Sequence, residues 1–459
     1  MHAIEELAAF AADHPQGCLP REASAGVSLL VTDLLAATAA GLQMPLSAAA
    51  RAAAPVLYGS GPAQVWYTDL KLSLAGAAMV NAAAASALDI DDGHRGAAGH
   101  AGAGVIPAAL AVGQTLGSSD AQIFDAIALG YDVALRIATS RPTGTFETYS
   151  SGRWVGYGVA VAAGRLLGLD ARKMAYAMGI AGAEGPISFP TGSSKYQGST
   201  VKEGIPPAVT AGLTGAFRAH AGATGPIDLL DREDRFKRAT LTDGLGEEWW
   251  LHQCYLKPYA CCRYMHAAVD AITELRHAGK PIISLRIETF PQGLKLSNSR
   301  TPATLEAGQY SYYFSCALAA LKGSAALQPV DPAWLTDAAV LELAGRIELA
   351  AHEDFDCSFP VGTPCRVIMD QGEGPQSLTV LHPLGDVANP MSREQVIDKF
   401  RRIGAANVTV ARQETILNAL DGLMDHGFAP LFAALDADAA QIDQTIHQQG
   451  GNKDELLFS

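Results

Sequence analysis

The chain has 459 residues, 49% of them hydrophobic and only 17% charged, with a net charge of −14 and a pI near 5.3. That balance excludes a disordered chain and provides length for two or more domains and a large core. It also excludes nucleic acid and anionic membranes as main partners, while local basic groups can still receive a small anionic substrate. The seven cysteines include the adjacent Cys261 and Cys262 but no pair at zinc spacing, which indicates reduced thiols in a cytoplasmic protein without structural zinc. The N-terminal MHAIEELAAFAADH lacks a basic region before a long apolar core, so no signal peptide is expected. No membrane span is expected either; the alanine-rich stretch 75–88 comes nearest.

Residues 1–250 predict helix after helix. The pattern LLVTDLLAATAAGL places one over Ala23–Leu42, and others are expected over Ala75–Ile90, Gly104–Leu116, Ala121–Ala138, Val155–Leu167, Ala171–Gly179 and Ile205–His220. Ser119 or Asp120 and Asp170 are candidate caps. Alanine-dense helices of this kind predict a tightly packed bundle. After Lys257 the style changes: IISLRIETF (282–290) alternates like a strand, and CRVIMDQGEGPQSLTVLHP (365–383) reads as two strands about a Gly-rich turn. Helices are expected between them at Cys262–Leu275 and Leu335–Ile347. Ser392 and Gln395 then form a capping-box pattern for a helix through Phe400. The expected architecture is therefore mainly α: a helical domain from 1–257 and 387–459, with 258–386 as an inserted α+β lid. The final GGNKDELLFS is expected to fray.

The stretch ALDIDDGHRGAAGH (87–100) is the chemically dense one. An apolar helix ends there in Asp89, Asp91, Asp92, His94, Arg95 and His100 on a glycine-rich loop. It has the residue types for acid–base work or for a metal. The spacing matches no recognised ligand pattern, so no metal is expected. A solvated loop is the bland alternative, with Asp91 or Asp92 capping it and Arg95 ion-paired or solvated.

Five segments in order resemble the MmgE/PrpD family: MVNAAAASALDIDD (79–92), ALGYDVALRIA (128–138), LLGLD (166–170), LKPYACCRYMHAAVDA (256–271) and HPLGDVANPMSREQVIDKF (382–400). The resemblance implies a homodimer with an active site between a helical domain and a lid. It also implies cofactor-free acid–base chemistry on small di- and tricarboxylic acids. Dehydration, decarboxylation and epimerisation all occur in the family, so the reaction stays open.

Each of those reactions moves a proton at a carbon beside a carboxylate and must hold the developing charge. The resemblance places Asp89 and His100 on the family's active-site aspartate and histidine, and Lys202 and Lys257 on its lysines. Asp89, His100, Lys202 and Lys257 are the expected catalytic set, with His100 as base or acid. Gly93 stands where the family has a hydroxyl residue, and His94 is the expected substitute. Arg263 offers a bidentate carboxylate partner, with His266 three residues on; Asp92 completes this group of expected substrate contacts.

Two segments depart from the pattern. SSGRWVGYG (150–158) lacks the family's histidine but carries Arg153 and Trp154, expected to reach the substrate. AGQYSYYFSCALA (307–319) puts Phe314 at the family's tyrosine, with Tyr312 and Tyr313 just before; Tyr313 is the expected contact. The leading expectation is a cofactor-independent lyase or isomerase, dehydratase-like ahead of epimerase or decarboxylase. A catalytically silent relative that binds a small acid is the rival.

Overall fold

The computed structural model describes residues 1–142, 150–186 and 201–436. The expected GGNKDELLFS tail lies outside the described residues. The chain is mainly α with a few small sheets.

The expected helices form, at Arg21–Gly41, Leu74–Ser86, Gly102–Leu116, Asp120–Thr139, Val155–Leu166, Ala171–Glu184 and Ile205–His220. Their caps explain their starts. Ser119 accepts from the backbone of Gln122 in a reciprocal capping box, and Asp170 accepts from Lys173. Val155–Leu166 packs against its neighbours Gly102–Leu116, Asp120–Thr139, Ala171–Glu184 and Ile205–His220. Small residues make that possible: a Cβ on Gly158 would stand 2.4 Å from the carbonyl oxygen of Gly130, and one on Gly212 would stand 2.6 Å from that of Gly156. The longest apolar helix is Arg21–Gly41, not the 75–88 stretch. By length and composition it could cross a membrane, and here 78% of its apolar window is buried in the protein.

The second half carries a four-stranded sheet in the order Glu348–Ala351, Ser284–Thr289, Cys365–Asp370, Pro375–Val380. The first pair is parallel and the others antiparallel. The strand Glu348–Ala351 was not among the expected ones. Helix His266–Leu275 covers the sheet and packs on helix Tyr312–Lys322.

Ser392 and Gln395 form the expected capping box, and the helix Arg393–Gly404 lies along Arg21–Gly41. Lys399 on that helix donates to Asp33 Oδ1 at 2.6 Å and to the carbonyl oxygen of Ile90 at 2.7 Å. Both side chains are buried. The second bond ties the C-terminal helix to the acidic loop. Removing one partner of a buried pair strands the other, so Lys399→Met is expected to cost about 3–5 kcal/mol, with part recovered on adding Asp33→Leu. Urea unfolding midpoints read this; a single variant as stable as the wild type would contradict the role given to the pair.

Candidate functional site

Helix Leu74–Ser86 is buried along its whole length from Gly76, so it enters the core as a rigid rod. It stops at a turn in which Asp89 takes a left-handed backbone, φ 54°. The loop beyond is pinned twice. Gly93–His94 pairs antiparallel with Cys254–Tyr255, and the His94 amide donates to the Gly99 carbonyl oxygen at 2.9 Å. The first pairing sets the loop beside the segment that carries Lys257.

Asp89 is the centre of the result. Lys202 Nζ lies 2.6 Å from its Oδ1 and Lys257 Nζ 2.6 Å from its Oδ2. His100 Nε2 lies 3.4 Å from Oδ1. All four side chains are buried. Burial pushes the Asp89 carboxyl up, but Lys202 and Lys257, with His100, overcome it and hold the group well below the usual range. His100 goes the other way. Burial lowers its pKa, yet Asp91 and Asp89 outweigh that and raise it well above the ordinary histidine value. Its Nδ1 donates to the Asp92 carbonyl oxygen at 2.6 Å and lies 3.1 Å from Asp91 Oδ2. That leaves Nε2–H pointing toward Asp89, with which it lines the cavity.

Three residues not expected from sequence, Tyr310, Glu203 and Ser151, complete the cluster. Tyr310 OH accepts from Lys202 Nζ at 2.9 Å and donates to Glu203 Oε1 at 3.1 Å. Ser151 Oγ donates to Glu203 Oε2 at 2.6 Å and accepts from the His100 amide at 3.0 Å. Lys202 and Glu203 both have positive φ, 33° and 57°, a conformation that sequence patterns do not announce. Tyr310 carried a readable signal. Ser311 caps the helix Tyr312–Lys322, so the residue before the cap leaves the helix axis while the next three enter its first turn.

Asp89, His94, His100, Glu203, Lys257, Arg263 and Tyr310 line one cavity with Arg95, Tyr255, Tyr264, Gln292, Lys295 and Phe359, among others. Burial lowers the pKa of His94 to about 4, so its ring is neutral; it stacks on Trp250. Arg95 and Arg263 share one carboxylate, Asp386, and both guanidiniums lie over the Tyr255 ring, at 5.2 and 4.8 Å.

The other expected contacts fall elsewhere among the described residues. Tyr313 is half-buried under the guanidinium of Arg300, 3.7 Å from its ring; it is Tyr310, just before the Ser311 cap, that faces the cavity. Phe314 is core. Trp154 is buried and backs Gly99, where a Cβ would stand 3.0 Å from its ring. Arg153 precedes it, at the end of the 3-10 turn Ser151–Arg153, and does not line the cavity. His266 is buried behind Arg263, accepting from its Nη1 at 3.1 Å and contacting the Cys261 carbonyl oxygen at 3.1 Å. Burial, Arg263 and Lys257 hold it well below the histidine range, so it is neutral. Asp92 lies beneath the loop, accepting from Tyr131 OH at 3.2 Å.

Asp89, His100 and Glu203 bring ligand atoms within 4.8 Å of one another. A cation there would face the ammonium groups of Lys202 and Lys257, which already hold both Asp89 oxygens, and would have to displace the His100 proton. The donor set fits proton transfer better than metal binding.

Buried acid–base groups lined by cations define a site for chemistry on a small anion. Comparison with known proteins names the class. Residues 5–247 match the MmgE/PrpD N-terminal domain and residues 259–423 the MmgE/PrpD C-terminal domain; the chain belongs to the MmgE/PrpD family. It is 26% identical to a cis-aconitate decarboxylase from Aspergillus terreus strain NIH 2624 over 92% of this chain and 93% of the relative. It is 27% identical to a second Aspergillus terreus protein of the same name, over 94% and 95%.

Asp92 provides a test of the electrostatics. Burial, then Asp91 and Asp33, push its carboxyl up to about 8. Between about pH 4 and 8 the folded state therefore keeps a proton that the unfolded chain releases, so this group's contribution to stability falls as pH rises. Asp92→Asn should flatten that part of the slope and gain on the wild type from pH 5 to pH 8. Urea midpoints at the two pH values check it; an unchanged difference would show that Asp92 is ionised in the folded protein.

Proposed function

We propose that the chain is a lyase acting on a small di- or tricarboxylic acid, with His100 delivering a proton to carbon as carbon dioxide leaves. Family membership and the likeness to cis-aconitate decarboxylases along nearly the whole chain support a lyase. The observation that carries the reaction type is the placing of charges: Asp91 Oδ2 at 3.1 Å and Asp89 Oδ1 at 3.4 Å favour the charged form of the His100 ring, and two ammonium groups clamp Asp89, so the cluster presents proton donors rather than a strong base. Dehydration or epimerisation needs a base first. Decarboxylation needs an acid second. This shifts the balance from the dehydratase that the sequence favoured.

The substrate's carboxylate docks on Lys257, sharing it with Asp89, while Lys202 holds the other Asp89 oxygen from behind. The bond from the departing carboxylate to its neighbouring carbon breaks, and the electron pair stays on that carbon, delocalised toward an adjacent acceptor group. The two ammonium groups hold the charge. Nε2–H of His100 then protonates the carbon and carbon dioxide leaves. Asp91 and the Asp92 carbonyl fix the ring throughout. In this reading residues 258–386 act as the lid over a helical body, since Lys257 and Arg263 sit at its root.

A second reading rests on Glu203. Its carboxylate lines the cavity between Ser151 and Tyr310 and could abstract a proton in a dehydration.

The test is a panel of small di- and tricarboxylic acids, cis-aconitate included, followed by proton NMR in deuterium oxide. Decarboxylation gives carbon dioxide and one deuterium on the carbon that lost it. His100→Ala should lower that rate by something on the order of 10²–10⁴-fold in protein that is still folded at the assay temperature. Water loss without carbon dioxide would favour the Glu203 reading; full decarboxylation by His100→Ala would refute the first.

A further inference from the structure

Among the cations that line the cavity, most are already paired. Lys257 is bound to Asp89, and Arg95 and Arg263 to Asp386. A carboxylate that reaches them must share them with a protein acid. Lys295 differs. It lines the same cavity from the short turn Pro291–Lys295, is exposed, and has no acidic or hydrogen-bonding partner among the described residues. Three residues earlier on that turn, Gln292 also lines the cavity, and its side-chain oxygen is buried without a hydrogen-bond partner. The two ends of an amide cannot be told apart by position alone, so Gln292 can offer either a carbonyl or an NH2 group. A buried polar atom left unpaired is costly, and a ligand group here would satisfy it.

We propose that Lys295, assisted by Gln292, is the specificity-determining residue that binds a second carboxylate of the substrate, the one remote from the reacting carbon. The inference builds on the small-acid reading above and adds which residues tell a polycarboxylate from a simple acid. Lys295 is suited to this because engaging it breaks no ion pair among the described residues. Its neighbours fit the division of labour. Lys202, Lys257 and His100 lie deep around Asp89 and handle the reacting end, while Lys295 stands at the exposed side and reads the far end. Lysine, a compact charge on a flexible stem, tolerates some variation in the length of the acid.

The test is equilibrium titration of the full chain with tricarballylate, propane-1,2,3-tricarboxylate. Lys295→Ala should weaken binding about 2- to 5-fold, the scale of one partly exposed ion pair, and Lys295→Arg should restore most of it. Gln292→Ala should weaken it less. Lys280→Ala removes an exposed lysine paired with Glu373 outside the cavity and should change nothing. Wild-type affinity in Lys295→Ala overturns the proposal. So does an equal loss in Lys280→Ala, which would mean a general charge effect, or no binding of tricarballylate by the wild type. The titration needs no turnover. A protein that binds tricarballylate through Lys295 and converts no acid would sink the lyase reading and leave this one standing.

Discussion

One carboxylate held between two buried ammonium groups organises this protein. Asp89, 2% exposed, meets Lys202 and Lys257, 1% and 0% exposed, at 2.6 Å on either oxygen. Burying three charges is expensive, and breaking such an arrangement by removing one partner is more so. The arrangement has an excess cation, which an anionic substrate can satisfy. It also sets the protonation of what surrounds it: an ionised Asp89 on one side and Asp91 on the other keep His100 charged. The same device recurs at Asp386, which two guanidiniums share. A chain with a net charge of −14 thus presents a cavity wall rich in positive charge, and attraction of an anion to it is local rather than global.

The fold supplies this geometry from four distant pieces of chain. The buried helix Leu74–Ser86 aims Asp89, the short pairing of Gly93–His94 with Cys254–Tyr255 brings the Lys257 segment alongside, and the turn before helix Ile205–His220 carries Lys202. Lys399 holds the back of the loop through the Ile90 carbonyl. Asp89, Lys202 and Glu203 all sit at positive φ, each costing on the order of 1–3 kcal/mol. Three such residues in one cluster show backbone strain concentrated where the charges converge. The close-packed helices around Gly130, Gly158 and Gly212 form the rigid body that can sustain it.

Much of this was legible in the chain itself. Helix positions followed from alanine-rich periodicity and from caps at Ser119, Asp170 and Ser392. Asp89, His100, Lys202 and Lys257 were picked out by their motif contexts, and the other three meet at the Asp89 carboxylate. What failed did so for physical reasons. Tyr310 was passed over because a one-turn uncertainty in where a helix starts moves every aromatic in YSYYF to another face, and only the Ser311 cap fixes it. Glu203 was hidden by a left-handed backbone at two consecutive non-glycine residues. Arg153 and Trp154 drew attention by replacing an expected histidine, yet Trp154 backs Gly99. What that segment gives the cluster is Ser151, a small hydroxyl bridging His100 and Glu203. The strand Glu348–Ala351 is too short and too exposed to show alternation.

The account rests on His100 being an imidazolium in the resting protein. Histidine-selective ¹⁵N NMR of the full chain, with His100→Gln to assign its signals, measures that directly. The account predicts that both ring nitrogens of His100 carry protons at about pH 7.5, above the ordinary histidine pKa of about 6.5, and that Asp91→Asn brings its titration down toward that value. A neutral His100 ring at about pH 7.5 in the wild type would contradict it.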